Sequence, residues 1–257
     1  FKTITLGVFK NLMNKIISAH LIILSLIMPQ LTLAGIESRP NNVDDAYVMD
    51  KGTAYLAFGY LYVKDSDSTH NYSIPLNAGY GLTDSLEITL ELPYTKIDPE
   101  NGRSEKGMGD LAIRPELVIL KESDSVPQMS TALVIKFDSG SNEIGSGTTD
   151  YGLFLNASKV FDKIQLNGNV GYSFLEDADD SIFLGASIEY SISDSMTLIG
   201  EAWTEMPMDS NDDDVAEILG GVTYDISDTV TLDFGIGTGL HKEDIDLRFT
   251  MGATYNF

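Results

Sequence analysis

The sequence predicts an all-β protein, an antiparallel transmembrane β-barrel of about twelve strands and of the Gram-negative outer-membrane type. Three features lead there. Apolar and polar residues alternate along segments of about 9–13 residues, which gives each strand one greasy face and one wet face. The connections between segments alternate between short turns and longer acidic loops, as in outer-membrane barrels. An export-type segment precedes the first alternating stretch.

That export segment spans residues 13–34, MNKIISAHLIILSLIMPQLTLA. Lys15 supplies the positive start, Ile16 to Met28 the apolar stretch, and Thr32-Leu33-Ala34 a small-residue cleavage site. A membrane-spanning helix needs about 20 apolar residues. This run ends at Pro29 and Gln30, so a signal peptide is favoured over a retained anchor. Residue 1 is Phe, which suggests that translation starts at Met13. The expected organisation is a signal peptide over 1–34, a mature start near Gly35, a periplasmic N-terminal segment over 35–51, and a barrel over 52–257.

Within the barrel the expected strands are 52–63, 71–82, 85–96, 108–120, 128–138, 149–161, 163–174, 181–192, 195–206, 214–225, 228–240 and 244–257. The third carries Leu86, Ile88, Leu90 and Leu92 against Glu87, Thr89 and Glu91. The seventh sets Ile164, Leu166, Val170, Tyr172 and Phe174 against Gln165, Asn167, Asn169 and Ser173. In the last, Ile245, Leu247, Phe249, Met251, Ala253, Tyr255 and Phe257 share one face, opposite Asp246, Arg248, Thr250 and Asn256. The short turns are Thr83-Asp84-Ser85, Asp162-Lys163, Ser193-Asp194-Ser195 and Ser227-Asp228-Thr229, with a somewhat longer Lys121–Pro127. The longer loops include Ile97–Gly107, Ser139–Thr148 and Pro207–Asp213.

A weak repeat marks the short turns. Tyr80, Tyr190 and Tyr224 each end a strand ahead of a Ser/Thr-Asp-Ser/Thr turn, and Phe161 stands likewise before Asp162. Those rings belong at the bilayer–water interface. Tyr255 and the aromatic carboxyl-terminal Phe257 resemble the signal read by the outer-membrane assembly machinery. A water-soluble β-sandwich also has alternating strands. The export segment, the even strand count and this terminal strand favour the barrel.

Composition narrows the function. There are 39 Asp+Glu against 16 Lys+Arg, a net charge of −23. Such a chain is repelled by phosphate backbones, so no nucleic-acid partner is expected. The absence of cysteine excludes disulfides, thiol catalysis and cysteine-based zinc sites. Catalysis has few candidates: His20 lies in the export segment, leaving His70 beside Ser66 or Ser68 as in a barrel lipase, and His241 beside Asp244 or Asp246 as in a barrel protease. No flanking motif supports either, and solvated loop histidines are expected. Asp209, Asn211 and Asp213 open like a calcium loop, but Asp214 and Gly220 stand where Gly and Glu are required, so no metal and no cofactor are predicted.

The wet faces carry the charges. Glu87, Glu91, Arg114, Glu116, Lys136, Glu189, Glu201, Asp233, Asp246 and Arg248 should point into the lumen, because a charge on the lipid face is costly. Glu201 is assigned from its turn, since its own strand alternates poorly. Hairpin folding sets Glu87 and Glu91 beside Arg114 and Glu116, with Lys136 across from Arg114. Two readings stand: a salt-bridged ladder that braces or plugs the barrel, or a selectivity band of Arg114 and Lys136 facing an acidic wall. Loops 97–107 and 139–148 would decide whether the pore is open.

Several stretches together resemble the outer-membrane channel family named for the MetA-pathway of phenol degradation. They are Glu37-Ser38-Arg39-Pro40 with Lys51-Gly52, residues Gly79 to Ile88, Leu92-Pro93-Tyr94, Gly107-Met108-Gly109-Asp110-Leu111, and Gly252 to Phe257. The chain departs from the family pattern at Ala57 and Phe58, where a glutamate is common, and at Asp138-Ser139-Gly140. The resemblance implies passive diffusion of aromatic or other small organic solutes. Outer-membrane lipid, lipopolysaccharide, the assembly machinery and a small solute are the expected partners. The rival reading is a closed structural or surface-interaction barrel acting through its acidic loops.

Overall fold

The computed structural model describes residues 40–208, 214–242 and 244–257, so the export segment, the Asp209–Asp213 loop and the leading residues of the 35–51 segment lie outside the described residues. Thirteen strands follow one another along the described chain: β1 (Ala54–Asp65), β2 (His70–Thr83), β3 (Leu86–Asp98), β4 (Glu105–Met108), β5 (Ala112–Leu120), β6 (Gln128–Lys136), β7 (Asp150–Phe161), β8 (Ile164–Phe174), β9 (Ser181–Ser193), β10 (Met196–Pro207), β11 (Val215–Ser227), β12 (Val230–Gly239) and β13 (Ile245–Asn256). Apart from β4 and β5, which both pair with β3 and not with each other, every strand pairs antiparallel with its neighbours in sequence, and β13 pairs with β1, so the sheet closes. Closure leaves no unpaired edge, which the hydrocarbon of a membrane requires. The seam is completed by Phe257 and Ala54, which exchange two backbone hydrogen bonds of 2.9 Å.

The ring has twelve staves because β4 and β5 are two pieces of one. Both pair with β3, β4 along Tyr94–Ile97 and β5 along Leu86–Glu91. The stave breaks at 109–111, where the Asp110 carboxylate accepts the backbone N–H groups of Ser139 (3.0 Å), Gly140 (2.7 Å) and Ser146 (2.7 Å). The 139–148 loop is thereby fastened to this stave. The two-residue turn at Asp162-Lys163 needs a left-handed residue, and Asp162 takes it with φ 54°.

Alternation resolves into two faces as the sequence implied. Phe58, Leu76, Leu153, Val170, Ile188 and Met251 stand exposed on the outer surface. An apolar surface this continuous is a lipid face. Tyr80, Phe161, Tyr190 and Tyr224 lie on the same outer surface beside the short turns and form the expected girdle.

The inner space is not left to wall side chains or to the long loops. Residues 40–49 enter it. Pro40 rests over Gly221 and Gly235 of β11 and β12, and the Asp50 carbonyl lies against Gly81 of β2. Val43 and Ala46 are fully enclosed. The sequence reading sets 35–51 ahead of the barrel, and the structure places residues 40–49 against its inner wall. The physical reason is that the wall presents carboxylates and amides that lack donors, and the segment's backbone N–H groups supply them.

Candidate functional site

The site is the lumen and the segment held in it. Side chains at every second position of each stave face inward, so the inner wall is built from one parity of each strand. On β10, Glu201 points inward and accepts the backbone N–H of Asn42 (2.8 and 3.0 Å), the Asn42 side-chain amide (2.8 Å) and the backbone N–H of Val43 (3.0 Å). On β8, Asn169 accepts from the Asp44 N–H (2.7 Å) and donates to the Asp44 carbonyl (2.9 Å). Ser158 of β7 accepts from Ala46 (2.8 Å), and Glu87 of β3 from Met49 (2.8 Å). Four staves thus hold one strip of backbone.

Charge pairing completes the hold. Arg114 of β5 is ion-paired with Asp44 and, at 2.8 Å, with Glu116; all three side chains are buried. Glu116 also accepts from Ser130 and from Asn156 (2.9 Å). Lys136 pairs with Asp150 at 2.6 Å, and Arg248 grips Glu217 with two bonds of 2.8 and 3.0 Å. Register places Lys136 opposite Ala112, one inward position from the neighbour of Arg114, so the two cations do not sit face to face. Glu87 stands opposite Glu116, and Glu91 opposite Ala112 and half-buried. Asp233 is buried on the inner face of β12.

At the short-turn end the segment is latched. Tyr47 donates to Glu122, in the turn after β5, at 2.5 Å, and Glu122 pairs with Lys159 at 2.9 Å. Its bonds from Lys159, then from Tyr47 and the Val160 N–H, hold the Glu122 carboxyl down at about 2. Burial, and then the bond to Glu122, push the Tyr47 hydroxyl up. Burial pushes the Asp45 carboxyl up to about 8; the Tyr47 N–H opposes this, while Glu189, Asp44 and Glu116 add like charge.

Beside the polar hold lies an apolar cluster of Val43, Ala112, Ala132, Val134, Phe154, Phe183 and Trp203. Phe183 and Trp203 stack at 5.8 Å and 25°, and Phe154 meets Phe183 edge-on at 6.1 Å and 64°. The inner wall therefore carries an aromatic strip across β7, β9 and β10. Trp203 Nε1 is buried with no hydrogen-bond partner.

Of the two histidine candidates, His70 lies beside Tyr62, and His241 lies near Asp244 as the sequence paired them. His70 Nδ1 bonds the Tyr62 hydroxyl at 2.8 Å, and His241 Nδ1 lies 3.1 Å from the Asp214 carbonyl and 3.5 Å from Asp244. Among the described residues no group of three acids or histidines could hold a metal. Glu87, Arg114, Glu116, Lys136, Glu201, Asp233 and Arg248 are buried and Glu91 half-buried, Tyr255 and Phe257 are exposed, and Asp44, Asn42, Val43, Asp150, Glu217 and the aromatic strip are not anticipated by the sequence reading. Parity could have found Phe154, Phe183 and Trp203, which share their strands' polar face.

A model of the family described as "Putative MetA-pathway of phenol degradation" matches residues 37–257. Among solved structures, the COG4313 outer membrane channel from Pseudomonas putida F1 is 14% identical, covers 83% of this chain and 98% of its own, and superposes with a TM-score of 0.69. The KdgM porin is 12% identical, with 79% and 99% covered and a TM-score of 0.60. The NanC porin is 11% identical, with 79% and 98% covered and a TM-score of 0.59. No curated protein matches. At these identities the structural likeness establishes the fold, a closed antiparallel β-barrel.

Proposed function

The chain belongs to this MetA-pathway family, and on that premise we propose that it is a narrow outer-membrane channel passing small organic solutes down their gradient, without an energy source, cofactor or catalysis. One observation carries the reading. The lumen is filled by a strip of backbone held through hydrogen bonds and one ion pair, not by the wall's own side chains meeting in the middle. Such a filling is removable, and a barrel with a removable filling is a stoppered pore.

With the segment out, Glu87, Arg114 and Glu201 lose partners and face the path, together with Glu91, Glu116, Lys136, Asp233 and Arg248. Arg114, freed from Asp44, would then join Lys136 and Arg248 as a cation on a predominantly acidic wall and bias which solutes pass. Tyr255 and Phe257 would serve assembly, and lipid and lipopolysaccharide would surround the outer face.

The test is single-channel recording in a planar bilayer, after heat-modifiable migration on a gel has verified the folded barrel. Discrete steps whose ion selectivity shifts on Arg114→Glu plus Lys136→Glu are expected. A folded barrel that never conducts, even with the segment removed, would move the function to its acidic loops.

A further inference from the structure

We propose that Lys96 and Lys106, on the outer face of β3 and β4, bind a phosphate on the sugar headgroup of an outer-leaflet lipopolysaccharide, with Lys64 of β1 flanking the site. The inference concerns the lipid-facing surface and goes beyond the channel reading, whose success or failure does not decide it.

Three observations converge on this patch. First, the outward-facing series of these staves runs from apolar residues to a base at the long-loop end. β1 presents Phe58, Tyr60, Tyr62 and then Lys64; β3 presents Tyr94 and then Lys96; β4 presents Met108 and then Lys106. Register sets Tyr94 opposite Met108 and Lys96 opposite Lys106, so the two lysines share one height, just past the last apolar pair. Lysines at that height lay their stems on apolar surface and raise their charges to the headgroups. Lys96 Nζ lies 5.3 Å from the centre of the Tyr72 ring on β2 in this manner. Second, bases are scarce at this end of an acidic chain. Among the described residues they are, outside the lumen, Lys64, Lys96, Arg103, Lys106 and Lys242, and all but Lys242 belong to β1, β3, β4 and the connection after β3. Third, Lys96 and Lys106 oppose each other directly across the β3–β4 pair. Side chains so placed are about 5 Å apart at Cβ, and like charges there repel. Asp98 relieves Lys96 at 2.8 Å, but Lys106 is exposed and makes no ion pair among the described residues. An anion between the two ammonium groups removes the repulsion.

The neighbouring charges define the ligand. Lys96 with Asp98 and Lys64 with Asp246 (2.5 Å) are half-exposed pairs, which hold their partners weakly. An ammonium has three donors, so each lysine keeps its aspartate while donating to a second acceptor. Asp98 and Asp246 oppose any anion, so the site needs one with charge and oxygens enough to engage both opposed lysines at once. A phosphate monoester, with more than one negative charge and three acceptor oxygens, meets that need. In the outer leaflet such a group is borne by the sugar headgroup of lipopolysaccharide. Lys64 stands two strand spacings from Lys96, about 10 Å, within reach of the same headgroup.

The experiment uses the protein purified from outer membranes, stripped of lipid by detergent exchange and checked for heat-modifiable migration. Native mass spectrometry counts the bis-phosphorylated lipid A bound per barrel as its concentration is raised, and binding should saturate. Lys96→Gln plus Lys106→Gln should raise the half-saturating concentration about thirtyfold, the worth of two lysines beside an anionic headgroup. Lys121→Gln plus Lys163→Gln, an equal loss of charge at the short-turn end, should leave it unchanged. If the first pair fails to fold, Lys106→Gln alone, at an exposed position, should raise it about fivefold.

Lipid A with its phosphates removed should bind the unaltered protein no better than intact lipid A binds the Lys96 and Lys106 variant. Equal binding by that variant and the unaltered protein overturns the site. So does an equal loss in the short-turn variant, which would mean that charge acts diffusely. Binding that survives removal of the phosphates overturns the group recognised. Phosphatidylglycerol that competes as well as lipid A overturns lipopolysaccharide as the partner.

Discussion

Asp44 of the N-terminal segment and Arg114 of β5 form an ion pair enclosed by the barrel, their side chains 3% and 2% exposed. The pair joins the removable part of the molecule to the fixed part, and it does so away from water. Its strength therefore controls how long the segment stays, much more than a surface pair would.

Asp44→Asn tests this with the shape preserved. Arg114 keeps Glu116 at 2.8 Å, so no charge is left unpaired, and the loss is that of a charged hydrogen bond, about 2 kcal/mol. Arg114→Leu is harsher, because Asp44 and Glu116 then lie buried together without a cation, a loss of about 3–5 kcal/mol. The chain has no cysteine, so Ala46→Cys gives a unique thiol at a fully enclosed position. Its labelling by a membrane-impermeant maleimide should speed up about thirtyfold in the Asp44→Asn background. Unchanged labelling would mean that the pair does not hold the segment.

The staves were legible in the sequence because lipid outside and water or polar groups inside impose a strict period of two, and a period survives without knowledge of any contact. Glu201 is instructive. Its strand alternates poorly because Ile199 and Trp203 share the inner face with it and are buried there, so β10 is apolar on both sides. Position relative to the turn still placed it inward. The aromatic strip escaped notice because Phe154, Phe183 and Trp203 read as lipid-facing residues unless their parity is checked against Asn156, Ser181 and Glu201. The partners of the charges were not legible at all. Asp44 meets Arg114 across a gap of seventy residues through an irregular segment, and irregular backbone has no periodicity to extrapolate.

The same parity explains the fit of glycine to ring. Phe154 Cε1 lies 2.2 Å from where a Cβ on Gly171 would stand, and Gly171 is the cross-strand partner of Phe154. Gly171→Ala forces the ring off the wall and should destabilise the barrel by about 1–3 kcal/mol in urea unfolding from lipid vesicles. Phe154→Ala removes the obstacle, so the double variant should be more stable than the sum of the single losses predicts. Strict additivity would mean that the two residues do not meet.

Acidity should act on the segment through Asp45 and Glu122, with opposite signs. Docking raises the Asp45 carboxyl from 3.8 to about 8, chiefly by burial, so the docked segment takes up a proton. The contribution of Asp45 to docking is fully present below 3.8 and is lost as pH rises through about 8. Glu122 is depressed from 4.5 to about 2, and its contribution is present above 4.5 and lost as pH falls through about 2. Lys159 is the largest cause of that second shift and belongs to the barrel whether or not the segment is docked, so only the share from Tyr47 bears on the latch. Above the range of Glu122 the Asp45 effect therefore dominates, and the open probability of the channel should climb as pH rises toward about 8 and level off above it, where Asp45 is ionised docked or undocked. Asp45→Asn carries no charge at any pH and should remain closed over the same range with a flat profile. A rise that persists in Asp45→Asn would assign the pH response to another group, and a fall would reverse the sign argued here.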